Sequence, residues 1–319
     1  MASSLRALLV AGLGRLPLPG SGQTLQRWRA LIKVGSVDLA LLKLYEAHTD
    51  AHAILAELGG AVAMRDGELW GVWCAEPPDG RVNMIRHADG MVSLHGTKRW
   101  CSGAGIVDQG LVSAWNEAGE QCLVAVPMHQ PGVRVNHDGW NAVGMVATQT
   151  SNIHFSGALG TQVGAPAAYV ERPGFWQGGA GIAACWFGGA SGIAQALLHS
   201  ARLDVHGLAR LGQCEVALHA AAALLREAAA AIDADPHGDA RHVALRARLG
   251  VETAASAVIA HASLALGSAP LCNDSRVARL VADLPIYLRQ SHGDRDFAAL
   301  GTQLRDTSAD PEKEPPWMP

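Results

Sequence analysis

Charge is scarce in this chain. Only 17% of its 319 residues are Asp, Glu, Lys or Arg, and the formal balance is −4. No basic run interleaves with aromatics, so neither nucleic acid nor an anionic membrane surface is expected as a partner. Six cysteines stand at 74, 101, 122, 185, 214 and 272, and no two share C-x-x-C spacing. That excludes the common zinc patterns, and no metal site is expected. The chain is long enough to bury its own core, so the thiols read as reduced ones of a cytoplasmic protein. G-x-G-x-x-G after a strand, G-x-x-x-x-G-K-S/T and G-x-S-x-G are all missing. Their absence removes the dinucleotide fingerprint, the phosphate loop and the nucleophile elbow.

Acidic residues are absent from positions 1 to 37, which hold Arg6, Arg15, Arg27, Arg29 and Lys33. Transit peptides share this bias, so the mitochondrial matrix is the alternative to the cytoplasm. The simpler reading is structural. A first helix, an "LPLPG" turn and "TLQRWRALIKVG" follow each other, the last a helix capped near Thr24. One long apolar run, 178 to 198, is long enough for a membrane span and contains Gly188 and Gly192 in G-x-x-x-G. It is also glycine-rich, weakly hydrophobic and isolated. A helix packed closely inside a bundle accounts for its small residues, and no membrane partner is expected.

Three regions emerge. Residues 1–65 read as helices, with apolar residues at three-and-four spacing in "VDLALLKLYEAHTDAHAILAEL". Residues 66–165 change period. "ELWGVWCA", "MVSLHGTKRWC", "QGLVSAWN", "QCLVAVPM", "GVRVNHDGW" and "TSNIHFSG" alternate or are β-branched, with turn clusters between them. This predicts a small β-barrel or sandwich. Residues 170–305 turn helical again, the last helix covering roughly 274–290, and suit an antiparallel bundle. The acidic, proline-rich tail, 306–319, is expected to be disordered. The fold class is α+β, without the strand–helix alternation of a nucleotide-binding sheet.

The order of regions resembles that of the acyl-CoA dehydrogenases, and the motifs agree. "GVWCAEPPDG" is similar to the family's first β-domain segment, with Glu-Pro after an aromatic or cysteine and a small residue. "LHGTKRWCSGAG" is similar to its "NG-x-K-x-W-I-T" segment. "GMVATQTSNIHF" resembles a "G-x-x-x-x-T-x-x-v-x-F" strand and "GIAQALL" a "G-x-A-x-x-A" bundle helix. Together they cover residues 25 to 305.

The resemblance implies FAD as cofactor and α,β-dehydrogenation of an acyl thioester. It places Trp100 against the isoalloxazine and Ser102 at the flavin edge, with backbone groups of Cys74 and Ala75 at the other edge. "ALGSAP" matches an "FGG" turn, which makes Gly267 a further cofactor-binding candidate. The family's catalytic glutamate falls near Leu288 or Arg289, and its alternative position near Ile182 or Ala183. Neither place holds a carboxylate. Arg210 stands where the family's "R-x-x-F-G" serves FAD phosphates across a subunit interface.

His292, in "RQSHGDRD", is the remaining catalytic candidate, because a histidine beside carboxylates can act as acid or base near neutral pH. A flavin-dependent monooxygenase on the same fold is the second expectation, and a non-catalytic binding subunit the third. Small residues on the bundle helices suit a homo-oligomer, dimer or tetramer, or a hetero-oligomer. Glu46, His48 and His52 share a helix face. The expectation there is an exposed polar face rather than a metal pair. Glu171 and Arg172 mark a loop at the start of the bundle.

Overall fold

The computed structural model describes residues 1–60, 62–201, 203–307 and 317–318. Helix α1, Ala2–Leu8, runs into one wider turn, Leu9–Leu13. Helices α2, Thr24–Gly35, and α3, Leu39–Leu58, follow. Thr24 opens α2 under tertiary control. Its N–H donates to Asp233 Oδ2 at 3.0 Å and its hydroxyl to Asp233 Oδ1 at 2.6 Å. Asp38 caps α3 by accepting from the Leu41 N–H at 2.8 Å, as an N-cap carboxylate should.

Seven strands make the β domain: β1 Trp70–Trp73, β2 Val82–Arg86, β3 Val92–Cys101, β4 Gln109–Trp115, β5 Gln121–Pro127, β6 Val133–Asn136 and β7 Ser151–Val163. Antiparallel ladders run β4–β5–β7–β3–β2, and one parallel bridge, Asn83 to Trp115, closes the ring into a barrel. β1 lies parallel to β4, and β6 lies against β7. β2 is not among the strands read from the sequence. Asn83, Arg86 and exposed Ile85 blur its alternation, and pairing with β3 supplies what its pattern lacks.

The second helical region holds α4 Ala168–Glu171, α5 Gly174–Leu198, α6 Val205–Ala234, α7 Arg241–Leu266, α8 Ser268–Asn273, α9 Ser275–Tyr287 and α10 Asp294–Thr307. α5 is the apolar run, and it packs on α2, α3, α6, α7 and α9. α5 and α7 are long and apolar enough to cross a membrane by composition, but α5 is mostly buried within the fold. The last helix expected at 274–290 is α9 plus the short turn Leu288–Gln290. The expected disordered tail begins inside α10, since residues 306 and 307 close that helix. Positions 308–316 and 319 lie outside the described residues. One large apolar cluster joins the helices to the barrel, and a smaller one seats α3 on β1 and β5.

Candidate active site

The motif residues converge where β1 ends beside β3. The register of β3 slips between Lys98 and Cys101, so that two residues face one on β7. Trp100 occupies this bulge with φ 60, and the residue is 54% exposed. A left-handed backbone costs a bulky residue about 1–2 kcal/mol. The bulge therefore turns a large aromatic outward instead of letting it drop into the barrel.

The neighbouring strand is fixed to it. The Trp73 indole donates to the Ser102 carbonyl at 3.0 Å, which brings Cys74 and Ala75, next in the chain, beside Ser102. The Ser102 hydroxyl lies 2.9 Å from that of Thr150, which lies 2.7 Å from that of Thr148. Thr148 donates onward to the Met145 carbonyl at 2.6 Å. Asp283 of α9 accepts the Met145 N–H, so the bundle grips the same loop. Gly144 lets the two backbones meet, because a Cβ there would lie 2.1 Å from the Ala282 carbonyl oxygen. This hydroxyl chain was not legible beforehand. Its one sequence signal is the pair of threonines in "VATQT".

A flat aromatic face, a hydroxyl at its end and an exposed small residue, Ala75, on the adjoining strand fit an isoalloxazine. The Cys74 thiol sits against Tyr169. Burial is the main reason its pKa rises to about 11, so it stays neutral. Beneath the site, Lys98 is fully buried and reaches Glu76 at 2.5 Å and the Ser113 hydroxyl at 2.6 Å.

Other candidates fall elsewhere. Gly267 caps α7 at φ 65. It follows a surface pocket of about 520 Å³ that Asp204, His206, Gly207, Arg210 and Leu264 help to line. His292 is exposed and 3.2 Å from Asp296, whose carboxylate also accepts the His292 N–H at the start of α10. Among the described residues, no hydrogen bond, ion pair or ring contact joins His292 to Trp100, Ser102 or Cys74. At the family's two base positions, Leu288 and Ala183 are buried hydrocarbons, while Arg289 turns to Glu252 at 3.0 Å.

The polar face of α3 is buried, against the expectation of an exposed one. Glu46 is 8% exposed and His48 3%. His48 accepts the Trp70 N–H at 3.3 Å through Nδ1. No group of three metal-ligating side chains occurs among the described residues. Instead Lys43, Glu46 and Asp50 line one face at i, i+3 and i+7. Lys43 pairs with Glu46 at 2.8 Å and lies 5.7 Å from the centre of the Tyr287 ring. Burial, then the Glu46 charge, push the Asp50 carboxyl above its ordinary pKa, against Arg172, Arg27 and Lys43. Sequence reading missed Lys43 and Asp50. Their signal was charge at helical spacing inside an otherwise apolar helix. Arg172 is buried and pairs with Glu57 at 2.6 Å, while Glu171 is exposed.

No protein-family model and no curated protein matches the sequence. Solved structures do match. The FMN-bound dibenzothiophene monooxygenase TdsC of Paenibacillus sp. A11-2 gives a TM-score of 0.79 at 20% identity, covering 88% of this chain and 83% of that one. A structure described as an FAD-dependent dehydrogenase gives 0.80 at 17%, covering 95% and 92%. Butyryl-CoA dehydrogenase of Megasphaera elsdenii gives 0.73 at 16%, covering 88% and 82%. The chain therefore has the acyl-CoA dehydrogenase fold, a scaffold that carries both dehydrogenases and monooxygenases among these neighbours.

Proposed function

We propose that the chain is a flavin-dependent oxidoreductase of the monooxygenase type. The observation that carries this reading is Trp100, displayed on a strained bulge beside Ser102 and Ala75, together with hydrocarbon at the base positions Leu288 and Ala183. A bound reduced flavin supplies the electrons that activate dioxygen. The chain's own residues hold the ring and keep competing groups quiet. Trp100 offers the stacking face. The Ser102 hydroxyl, backed by Thr150 and Thr148, offers a polarised hydrogen bond to the flavin edge. Neutral Cys74 removes a nucleophile from the site.

FAD is the proposed form, with the Arg210 guanidinium and the His206 ring in the 520 Å³ pocket as hydrogen-bond donors suited to its phosphates. Exposed Val205, Leu208 and Val216 on α6 and Leu264 on α7 support assembly of copies through the bundle. The cytoplasm is the proposed location.

A second reading is α,β-dehydrogenation of an acyl thioester. Glu46 favours it, as a carboxylate near Tyr287 that could take an α-proton from a position the family does not use. One experiment separates the readings. Purified protein is titrated with FMN and FAD in parallel and its visible absorbance followed. Bleaching by acyl-CoA without oxygen supports dehydrogenation. Oxygen-dependent turnover only with supplied reduced flavin supports the monooxygenase. A protein that takes up neither flavin would sink both and leave the binding subunit.

A further inference from the structure

The Lys98 ammonium uses all three of its donors. It reaches Glu76 Oε1 at 2.5 Å, the Ser113 hydroxyl at 2.6 Å and the Ser113 carbonyl at 3.2 Å. The Ser113 hydroxyl donates onward to Glu76, and the Trp115 indole donates to the other Glu76 oxygen at 3.1 Å. The pair also joins the two segments that carry the candidate site. Glu76 follows Cys74 and Ala75 after β1, and Lys98 stands two residues before Trp100 on β3.

Holding two segments together needs no charge. A buried ion pair seldom stabilises more than well-packed hydrocarbon of the same volume, so stability does not account for the ammonium. The pair is also lopsided. The Lys98 side chain has no solvent exposure, while that of Glu76 is 25% exposed. Water screens the carboxylate and cannot reach the ammonium, so the end of β3 feels a net positive potential. Two thiols register it. Burial raises the pKa of both Cys74 and Cys101, and the Lys98 charge is the leading influence that opposes the rise at each. Asp50 and Arg172 act on Cys74 more weakly and in opposite directions. The positive potential therefore falls on the strand assigned to the flavin edge.

We propose that Lys98 is a positioning residue whose buried ammonium biases this site toward reduced flavin over oxidised flavin. This rests on the reading of Cys74, Ala75, Trp100 and Ser102 as the flavin edges. The oxidised ring is neutral, whereas the reduced ring carries a negative charge once its N1 proton is lost. A fixed, unscreened cation beneath the ring stabilises only the second. A monooxygenase fed with reduced flavin gains from this difference, because it captures the reduced form and lets the oxidised form leave. Glu76 keeps the ammonium in place without cancelling it at the ring, since its own charge faces water.

The test compares affinities for oxidised and for dithionite-reduced FMN and FAD, titrated without oxygen and followed by absorbance. The parent should hold the reduced form at least about tenfold more tightly, which for a two-electron couple is about 30 mV. Lys98→Met should remove that preference. Glu76→Gln, which leaves the ammonium, should keep or increase it. The double variant Lys98→Met/Glu76→Gln replaces the ion pair with uncharged side chains that the fold tolerates, and it should lose the preference even if a single variant fails to fold. A role confined to holding the strands would move both single variants the same way, and that outcome overturns the proposal. So does a parent that prefers oxidised flavin, or a preference unchanged in the double variant. Cys74 gives a readout that needs no flavin. Its alkylation by iodoacetamide at alkaline pH, resolved by peptide mass, should slow several-fold in the variants lacking Lys98, because the thiolate loses a stabilising charge. A protein that takes up neither flavin but shows this slowing sinks the flavin reading and leaves the Lys98 potential standing. One that takes up flavin with no preference dependent on Lys98 does the reverse, and one that shows neither effect sinks both.

Discussion

Lys98, with no solvent exposure, ends 2.5 Å from the Glu76 carboxylate, whose side chain is 25% exposed. The two partners are unequal, and the inequality predicts an ordering. Glu76→Gln strands an ammonium that cannot reach water and should cost about 3 kcal/mol. Lys98→Met leaves a carboxylate that can be hydrated and still accepts from Ser113 and from Trp115 at 3.1 Å. It should cost less. Denaturant melts of both variants check the order. A larger loss in Lys98→Met would show that the pair is held by packing and not by charge.

Trp100 separates display from stability. The residue is half in solvent and its backbone is left-handed. Trp100→Gly removes the ring's contacts and also the backbone strain, so stability should stay within about 1 kcal/mol of the parent. Flavin uptake should fall at least about tenfold. A variant that melts normally and still turns yellow with FMN or FAD contradicts the stacking role.

His48 predicts an acid response. Burial, then the neighbouring His52, lower its pKa to about 4 from an ordinary 6.5. The unfolded chain therefore takes up the proton first as pH falls. The stability His48 contributes is complete above pH 6.5 and is lost progressively toward pH 4. It amounts to about 3 kcal/mol at the limit. His48→Gln should flatten this part of the stability–pH curve, measured by melts between pH 7 and pH 4. His52 and His242 shift the same way, so some slope should remain.

His292 and Asp296 are predicted to differ in kind. Asp296 accepts from the His292 N–H at 3.1 Å, where the α10 backbone starts. Asp296→Ala should loosen that helix by about 1 kcal/mol. His292→Ala should leave flavin uptake unchanged, since no contact links its side chain to Trp100. Hydrogen exchange in α10 reads the first effect and flavin titration the second. A loss of flavin-coupled turnover in His292→Ala, with α10 exchange unchanged, would restore it as a catalytic candidate.

The sequence by itself determined the order of helices, barrel and bundle, because period-2 and period-3.6 patterns are local. It also marked Trp100, Ser102 and Cys74, since their motifs are contiguous. Only tertiary structure decided what each does. The β3 bulge that exposes Trp100 comes from pairing with β7, 50 residues away in the chain. β2 forms because β3 and β4 offer it edges. The face carrying Glu46 and His48 looked like a solvent face, and α5 and the barrel buried it. The approach of Asp50 on α3 to Gly178 on α5 has the same origin. A carboxylate on one helix and a glycine on another carry no shared local signal, and only packing sets Asp50 where a Cβ on Gly178 would crowd it.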